Sequence, residues 1–336
     1  MRRKSEIRQS VAVSVLLAAV LFAVPLMLAS PAGRQLFSSE TQPVETEPFV
    51  PGELDSATVL KVLDGDTVRE MTMGEYLTGV LRAEMPASFE EEALKAQACA
   101  ARTYTVVRQA SAHAAHPQAD VCTDSGCCQA YVERQAAETR WGISAGTYSA
   151  KISQAVADTD GLGILYQGAP IQAVFFSSAP GQTADAVAVW GSQVDYLKSV
   201  SSPERDEVPN YRSQVVLTAE EVRSRVLAAY PGADLSGDPS GWFGTPASSG
   251  GAVTSIPVGG VTLTGSQVRT LFSLRSAAFT VAWDGTSFTF SVTGYGHGVG
   301  MSQYGANAMA KEGSSFRDIL TWYYTGAQVD DLWAES

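Results

Sequence analysis

Positive charge is scarce in this sequence: 23 lysines and arginines stand against 35 aspartates and glutamates, for a formal net charge of −12. Four of the basic residues crowd into the first ten positions, MRRKSEIRQS, beside a single acid. That leader carries +3, so −12 less +3 leaves −15 for the rest of the chain. So acidic a remainder argues against binding nucleic acid, against an electrostatic grip on anionic lipid, and against holding any anionic polymer by bulk charge. A glycan ligand would have to be recognised locally, by a cleft of aromatic and hydrogen-bonding groups. No internal repeat of fixed period is visible, which removes solenoids and propellers. Histidine occurs only at His113, His116 and His297, and three of the four cysteines fall within residues 122–128.

Long apolar runs are almost absent too, with one exception. Residues 11–30 hold no charge and are rich in Leu, Ala and Val, long enough to cross a bilayer. The basic leader, residues 1–10, predicts that this end stays in the cytoplasm. Small residues near position 30 offer a cleaved signal peptide as the competing reading. Length favours a retained single-pass anchor, with the C-terminal domain extracytoplasmic at the cell membrane. Residues 31–55, with prolines and acids, read as a linker, and residues 56–336 as one folded domain.

The richest stretch is residues 72–105, TMGEYLTGVLRAEMPASFEEEALKAQACAARTYT. Thr72 with Glu75, and Ser88 with Glu91, each have capping-box spacing, so two helices are expected. Pro86 denies Met85 the helical region and ends the first helix beside Glu84. Leu77, Val80, Leu81 and Glu84 share one helical face. Partial burial and the C-terminal end of the first helix raise a carboxyl pKa there, whereas the second helix N-terminus lowers it. A raised pKa is what a general acid needs near neutral pH. The bland alternative is a capping or salt-bridging Glu, paired with Arg82 or Arg102. The second helix is alanine-rich, so a central, buried position is expected, with Arg102 and Tyr104 among its polar exceptions and Cys99 as a small buried residue.

Further on, hairpins are expected over residues 163–178, with a Gln-Gly turn, and 278–292, with Asp284-Gly285 as the turn. Residues 232–251, dense in Gly, Ser and Pro, read as a surface insertion. Helices return at about 302–312 and 316–324. Helices and strands segregate, so the fold class is α+β: a helical core segment packed with antiparallel strands, two lobes around a cleft, preceded by one transmembrane helix. Three thiols and an imidazole near residues 116–128 can make a tetrahedral zinc site. Disulfide pairing is the alternative for an extracytoplasmic protein with four cysteines. The glycine-rich GYGHGVGMSQYGA is not a dinucleotide fingerprint, which needs a preceding strand and an acidic ribose partner.

Five segments in order carry a resemblance: GEYLTGVLRAEMPASFEEEALKAQACAARTY, DVCTDSGCCQAY, FFSSAPGQTADAVAVWGSQVDYLKSV, LTGSQVRTLFSLRSAAFTV and GYGHGVGMSQYGANAMA. From about residue 55 to the end the chain resembles the family of stage II sporulation protein D and the amidase-enhancer proteins. The resemblance implies a lytic transglycosylase acting on peptidoglycan glycan strands stripped of stem peptides during engulfment, beside a cell-wall amidase and other engulfment membrane proteins. It places the catalytic acid at Glu84. It also implies a structural zinc held by His116, Cys122, Cys127 and Cys128, with Cys127 standing where the family usually has His. Candidate substrate-binding residues are Arg102, Tyr104, Gln129, Tyr131, Tyr196, Lys198, His297, Gln303 and Tyr304. Glycosidases usually need two carboxylates, and no second acid stands in an equally strong motif, which favours a one-acid scheme. A binding module that stimulates an amidase, and a hydrolase drawing on Asp185 or Asp195, are the competing functions.

Overall fold

The computed structural model describes residues 52–334 except 112 and 113. Helix α1 (Glu53–Ala57) leads into the hairpin of β1 (Val59–Asp64) and β2 (Thr67–Thr72), onto which β3 (Val121–Cys122) adds in parallel. Between β2 and β3 lie α2 (Met73–Glu84) and α3 (Glu91–Gln109). The Thr72–Glu75 capping box forms, with the Glu75 amide donating to Thr72 Oγ1 at 3.2 Å and the Thr72 amide to Glu75 Oε2 at 2.8 Å. Met85 is extended, at φ −122° and ψ 142°, as a residue before proline must be. The second expected box does not form: α3 starts at Glu91 with Glu90 as its cap, because residues 86–89 close a turn of their own through Phe89 N–H to Pro86 O. The Asn307 side chain accepts the Glu90 amide at 2.8 Å instead.

The chain continues through α4 (Arg134–Trp141), α5 (Ala145–Ala157), β4 (Leu162–Tyr166), β5 (Ala169–Pro170), β6 (Phe175–Phe176) and α6 (Ala186–Trp190). The Gln167-Gly168 turn is present, both residues at positive φ. The expected hairpin is nevertheless short. Past Pro170 the chain leaves β4, and β6 pairs in parallel with a C-terminal strand.

A second layer follows: β7 (Arg212–Thr218), α7 (Ala219–Ala229), β8 (Ala247–Ser249), β9 (Ala252–Val258), β10 (Val261–Leu263), α8 (Gly265–Phe272), β11 (Phe279–Trp283) and β12 (Ser287–Thr293). The β11–β12 hairpin turns at Gly285 as expected, and β12 also pairs with β7. The chain then returns to the first layer through β13 (Met301–Ser302), α9 (Gln303–Lys311), α10 (Phe316–Tyr323) and β14 (Gln328–Asp331).

Two hydrophobic cores result. The first gathers β1, α2, α3, α5, β4, α9 and α10, with α3 at its centre. Ala93, Ala96, Ala98, Ala100 and Ala101 are all fully buried, and their small side chains let α2, α5, β4, α9 and α10 approach closely. The second core lies wholly between residues 215 and 292. It is an excursion from the first, which closes only when Val299 and Met301 return. Residues 232–251, expected as a surface insertion, contribute Leu235 and Trp242 to the second core. Residues 53–55, expected in the linker, are folded into α1, and Asp55 is fully buried.

The α+β class stands, with several small sheets, but the transmembrane helix expected before the domain does not. No helix among the described residues is long and apolar enough to cross a membrane. That expectation falls on residues 11–30, outside the described residues, and the single-pass localisation built on it is withdrawn with it.

Candidate functional site

Glu84 is the last residue of α2, on the face whose Leu77, Val80 and Leu81 are fully buried. Its carboxylate is held from two distant parts of the chain. Oε1 accepts the Ala130 amide at 3.0 Å, and Oε2 accepts Gln303 Nε2 at 3.2 Å. These hydrogen bonds favour the charged form, yet burial outweighs them and the carboxyl pKa is raised above its ordinary value. The competition that the sequence left open is thus resolved toward the protonated acid.

Glu84 opens into a pocket of 280 Å³ that it shares with Arg82, Pro86, Arg140 and Trp141. Pro86 also borders a 390 Å³ pocket containing Phe89, Tyr304 and Lys311. Arg82 also borders a 460 Å³ pocket containing Arg69 and Tyr131. The shared walls make one groove around the corner between α2 and α3. Glu84 is the one carboxylate lining its central pocket.

The loop that supplies Ala130 begins at a cysteine cluster. The ligand atoms of His116, Cys122, Cys127 and Cys128 all lie within 4.8 Å of one another, and the cysteines are free thiols. His116 Nδ1 faces the Ala119 carbonyl at 3.1 Å, and Nε2 lies 3.3 Å from Cys128 Sγ. Three sulfurs and one imidazole nitrogen at this spacing suit a tetrahedral ion, with the carbonyl orienting the ring. The cluster can therefore hold a metal ion with four protein ligands. From it the chain runs to Ala130, and Val132 donates to the Gly79 carbonyl at 3.1 Å. Gly79 has to be glycine, since a Cβ there would sit 2.0 Å from the Tyr131 ring.

A family model described as "Stage II sporulation protein" matches residues 64–166, which include both α2 and the cysteine loop. "Stage II sporulation protein D" of Bacillus subtilis (strain 168) is 37% identical over 323 residues, 94% of this chain and 92% of the relative. The chain belongs to the stage II sporulation protein D family. A second relative of that description, from Bacillus amyloliquefaciens, is 36% identical over 79% of this chain and 76% of its own length. "Amidase enhancer" of Bacillus subtilis (strain 168) is 28% identical over 75% of this chain and 40% of that relative.

Within this family member the structure brings some of the expected residues together. Gln303 touches Glu84 directly. Tyr304 packs edge-on against Phe89, with ring centroids 4.9 Å apart, and lines the groove. Tyr131 is half-buried, stacks on Tyr76 and borders the groove beyond Arg82.

Other expected residues are elsewhere. Arg102 is fully buried and grips Asp55 bidentately, Nε to Oδ1 at 2.8 Å and Nη2 to Oδ2 at 2.6 Å. It is a core ion pair with no exposed surface. Gln129 is buried with its amide on Thr105 Oγ1 at 3.1 Å. Tyr104 sits under the cysteine loop, reaching the Cys127 carbonyl at 3.5 Å and accepting from Arg108 at 2.9 Å. Tyr196 accepts the Gln172 amide at 3.1 Å and packs on Tyr166, and Lys198 is exposed; neither borders the groove pockets. His297 uses both ring nitrogens on backbone: Nε2 donates to Phe175 O at 2.9 Å, and Nδ1 accepts the Val299 amide at 3.2 Å. Burial lowers its pKa to about 4, so it is neutral and fastens the glycine loop. In that loop Gly300, at φ 79°, passes so close to strand β6's approach that a Cβ would meet Val174 O at 2.1 Å. Asp185 caps α6 and Asp195 accepts from Gln193, so neither supplies a second acid to the groove.

Two partners of the site have no sequence signal. Ala130 acts through its amide, which any residue but proline would offer. Glu204, fully buried, accepts the Ala179 amide at 2.6 Å and the Ser302 hydroxyl. Ser302 in turn caps α9, whose first residue is Gln303. Glu204 therefore sets the position from which Gln303 reaches Glu84.

Proposed function

We propose that this protein is a lytic transglycosylase that cleaves peptidoglycan glycan strands between N-acetylmuramic acid and N-acetylglucosamine, with Glu84 as its single acid and base. The observation that carries this reading is that the one carboxylate of the central pocket is kept toward its protonated form by burial and aimed by Ala130 and Gln303. Glu84 gives its proton to the glycosidic oxygen as the bond from muramyl C1 to that oxygen breaks. The muramyl C6 oxygen then bonds to C1, and its proton passes to Glu84. A 1,6-anhydro ring closes, the acid is regenerated, and no water is consumed. The Ala130 and Gln303 hydrogen bonds hold the carboxylate between the two transfers without needing to reorganise.

His116, Cys122, Cys127 and Cys128 would hold a zinc ion whose four protein ligands leave no open position, so its contribution is to make the 120–132 loop rigid. The substrate is a strand already stripped of stem peptides, and the protein works beside a cell-wall amidase in sporulation. The similarity to a protein named "Amidase enhancer" favours a second reading, a wall-binding module that stimulates an amidase without cutting glycan.

Mass spectrometry of peptide-free strands incubated with the full chain, wild type and Glu84→Gln, separates these. Anhydro-muramyl ends from wild type alone are expected. Reducing ends would make the protein a hydrolase. Intact strands, with an amidase accelerated by either form, would leave the enhancer reading.

A further inference from the structure

The central pocket of the groove holds two cations that acid–base chemistry at Glu84 does not use. Arg82 and Arg140 line the same 280 Å³ pocket as Glu84. Their neighbours are neutralised: Arg69 pairs with Asp64 at 3.0 Å and Glu133 at 2.9 Å, and Arg134 pairs with Glu138 at 2.6 Å. Arg82 and Arg140 make no ion pair among the described residues. Arg82 Nε is moreover buried without a hydrogen-bond partner. Glu84 does not serve as their counter-ion, since the forces on its carboxyl are burial, Ala130 and Gln303, with no arginine among them.

Glu133 and Glu138 attract the Arg82 guanidinium without forming an ion pair with it, and burial outweighs them, pulling its pKa below the ordinary value; a partly desolvated cation without a paired anion is costly. The side chain nonetheless stays charged. A planar fork of N–H donors matches a carboxylate or a phosphate, and of the two a muramyl sugar bears the carboxylate. Trp141 and Pro86 in the same wall offer apolar surface to a sugar face. Site chemistry therefore asks for a sugar that bears a carboxylate.

We infer that Arg82 and Arg140 form a carboxylate subsite beside the acid, and that it takes the free lactyl carboxylate of a muramyl residue next to the scissile bond. This rests on the glycan-strand reading above and deepens it. In a peptide-bearing strand the lactyl carboxyl is tied up as a neutral amide and cannot neutralise the arginines. Selection for peptide-free strands is then an electrostatic property of the pocket, set by residues 82 and 140.

The test uses the full chain with Glu84→Gln to prevent turnover, and calorimetric binding of two oligosaccharides of alternating N-acetylglucosamine and N-acetylmuramic acid. One carries free lactyl acids and the other their methylamides. The acid is expected to bind about tenfold tighter or more, the worth of one charge-assisted hydrogen bond. Arg82→Gln is expected to bring the ratio to about one through loss of acid affinity alone, with amide affinity within about twofold. Arg140→Gln, at an exposed position, provides the second variant should Arg82→Gln fold poorly, and it should narrow the same ratio. Equal affinities for acid and amide, or a ratio that neither substitution changes, would overturn the subsite while leaving glycan binding intact. Absence of binding by both oligosaccharides would instead remove the glycan reading itself, and the subsite with it.

Discussion

Replacing Arg102 by alanine should damage the stability of the protein and leave its glycan affinity alone. The guanidinium is fully buried, and its partner Asp55 has a side chain 1% exposed. Beyond Asp55 it also donates to the Leu162 carbonyl at 2.8 Å and to Val156 O at 3.3 Å. Removing it strands the Asp55 carboxylate in the first core, while Val156 O keeps the Thr159 amide and hydroxyl. Breaking one side of such a pair costs about 3–5 kcal/mol, which lowers the thermal midpoint of a domain this size by on the order of 10 °C. Asp55→Ala should cost a similar amount for the mirror reason. The double substitution to leucine should cost clearly less than the two singles combined, because no unpaired charge remains. Circular dichroism melts and urea titrations measure the cycle, and calorimetry at 10 °C follows oligosaccharide binding. Hydrogen exchange should quicken at the Leu54 and Asp55 amides, which Asp160 now holds. An Arg102→Ala protein that melts like wild type but loses the oligosaccharide would refute the structural role and return Arg102 to the substrate.

Three further outcomes are expected. If Glu84 is the general acid proposed above, it must be protonated to act, so kcat/KM should fall as pH rises through a pKa that burial raises above the ordinary glutamate value. Gln303→Leu deletes a hydrogen bond that lowers that pKa, so the alkaline limb should move to higher pH; an unmoved limb would contradict the assignment. His297 is neutral with a pKa near 4 in the fold against about 6.5 unfolded. Its contribution is therefore complete above pH 6.5 and is lost as pH falls toward 4, roughly 3 kcal/mol in all. Urea midpoints of His297→Asn should show a weaker acid slope than wild type. Cys128→Ser, or chelation, should release bound metal measured by mass spectrometry and loosen the loop that delivers Ala130 to Glu84. Cleavage should then drop about tenfold or more through loss of that donor, and Gly79→Ala, which displaces Tyr131, should reproduce the loss with the metal retained.

Local chemistry was legible wherever cause and effect lie within a few residues. Thr72 and Glu75 cap α2, Pro86 stops it, and Gln167-Gly168 and Asp284-Gly285 turn their hairpins, all through contacts that span one turn of chain. The alanine run of α3 pointed to a central helix because small side chains permit close approach of neighbouring elements, besides favouring the helix itself. Helical spacing likewise put Glu84 on the buried face of α2, and the family resemblance marked it as the candidate acid.

What meets that face was decided only in three dimensions. The Ala130 amide and Gln303 arrive from 46 and 219 positions away, and periodicity says that a face is covered without saying by what. Arg102 shows the limit from the other side. Its partner Asp55 lies 47 residues earlier, in a segment whose composition reads as linker, so nothing in the sequence named the partner of this core ion pair. Arg82, which does line the Glu84 pocket with Arg140, read from the sequence only as a candidate salt-bridge partner of Glu84. A sequence records which side chains can be charged, and only packing determines which of those charges find a partner before the substrate does.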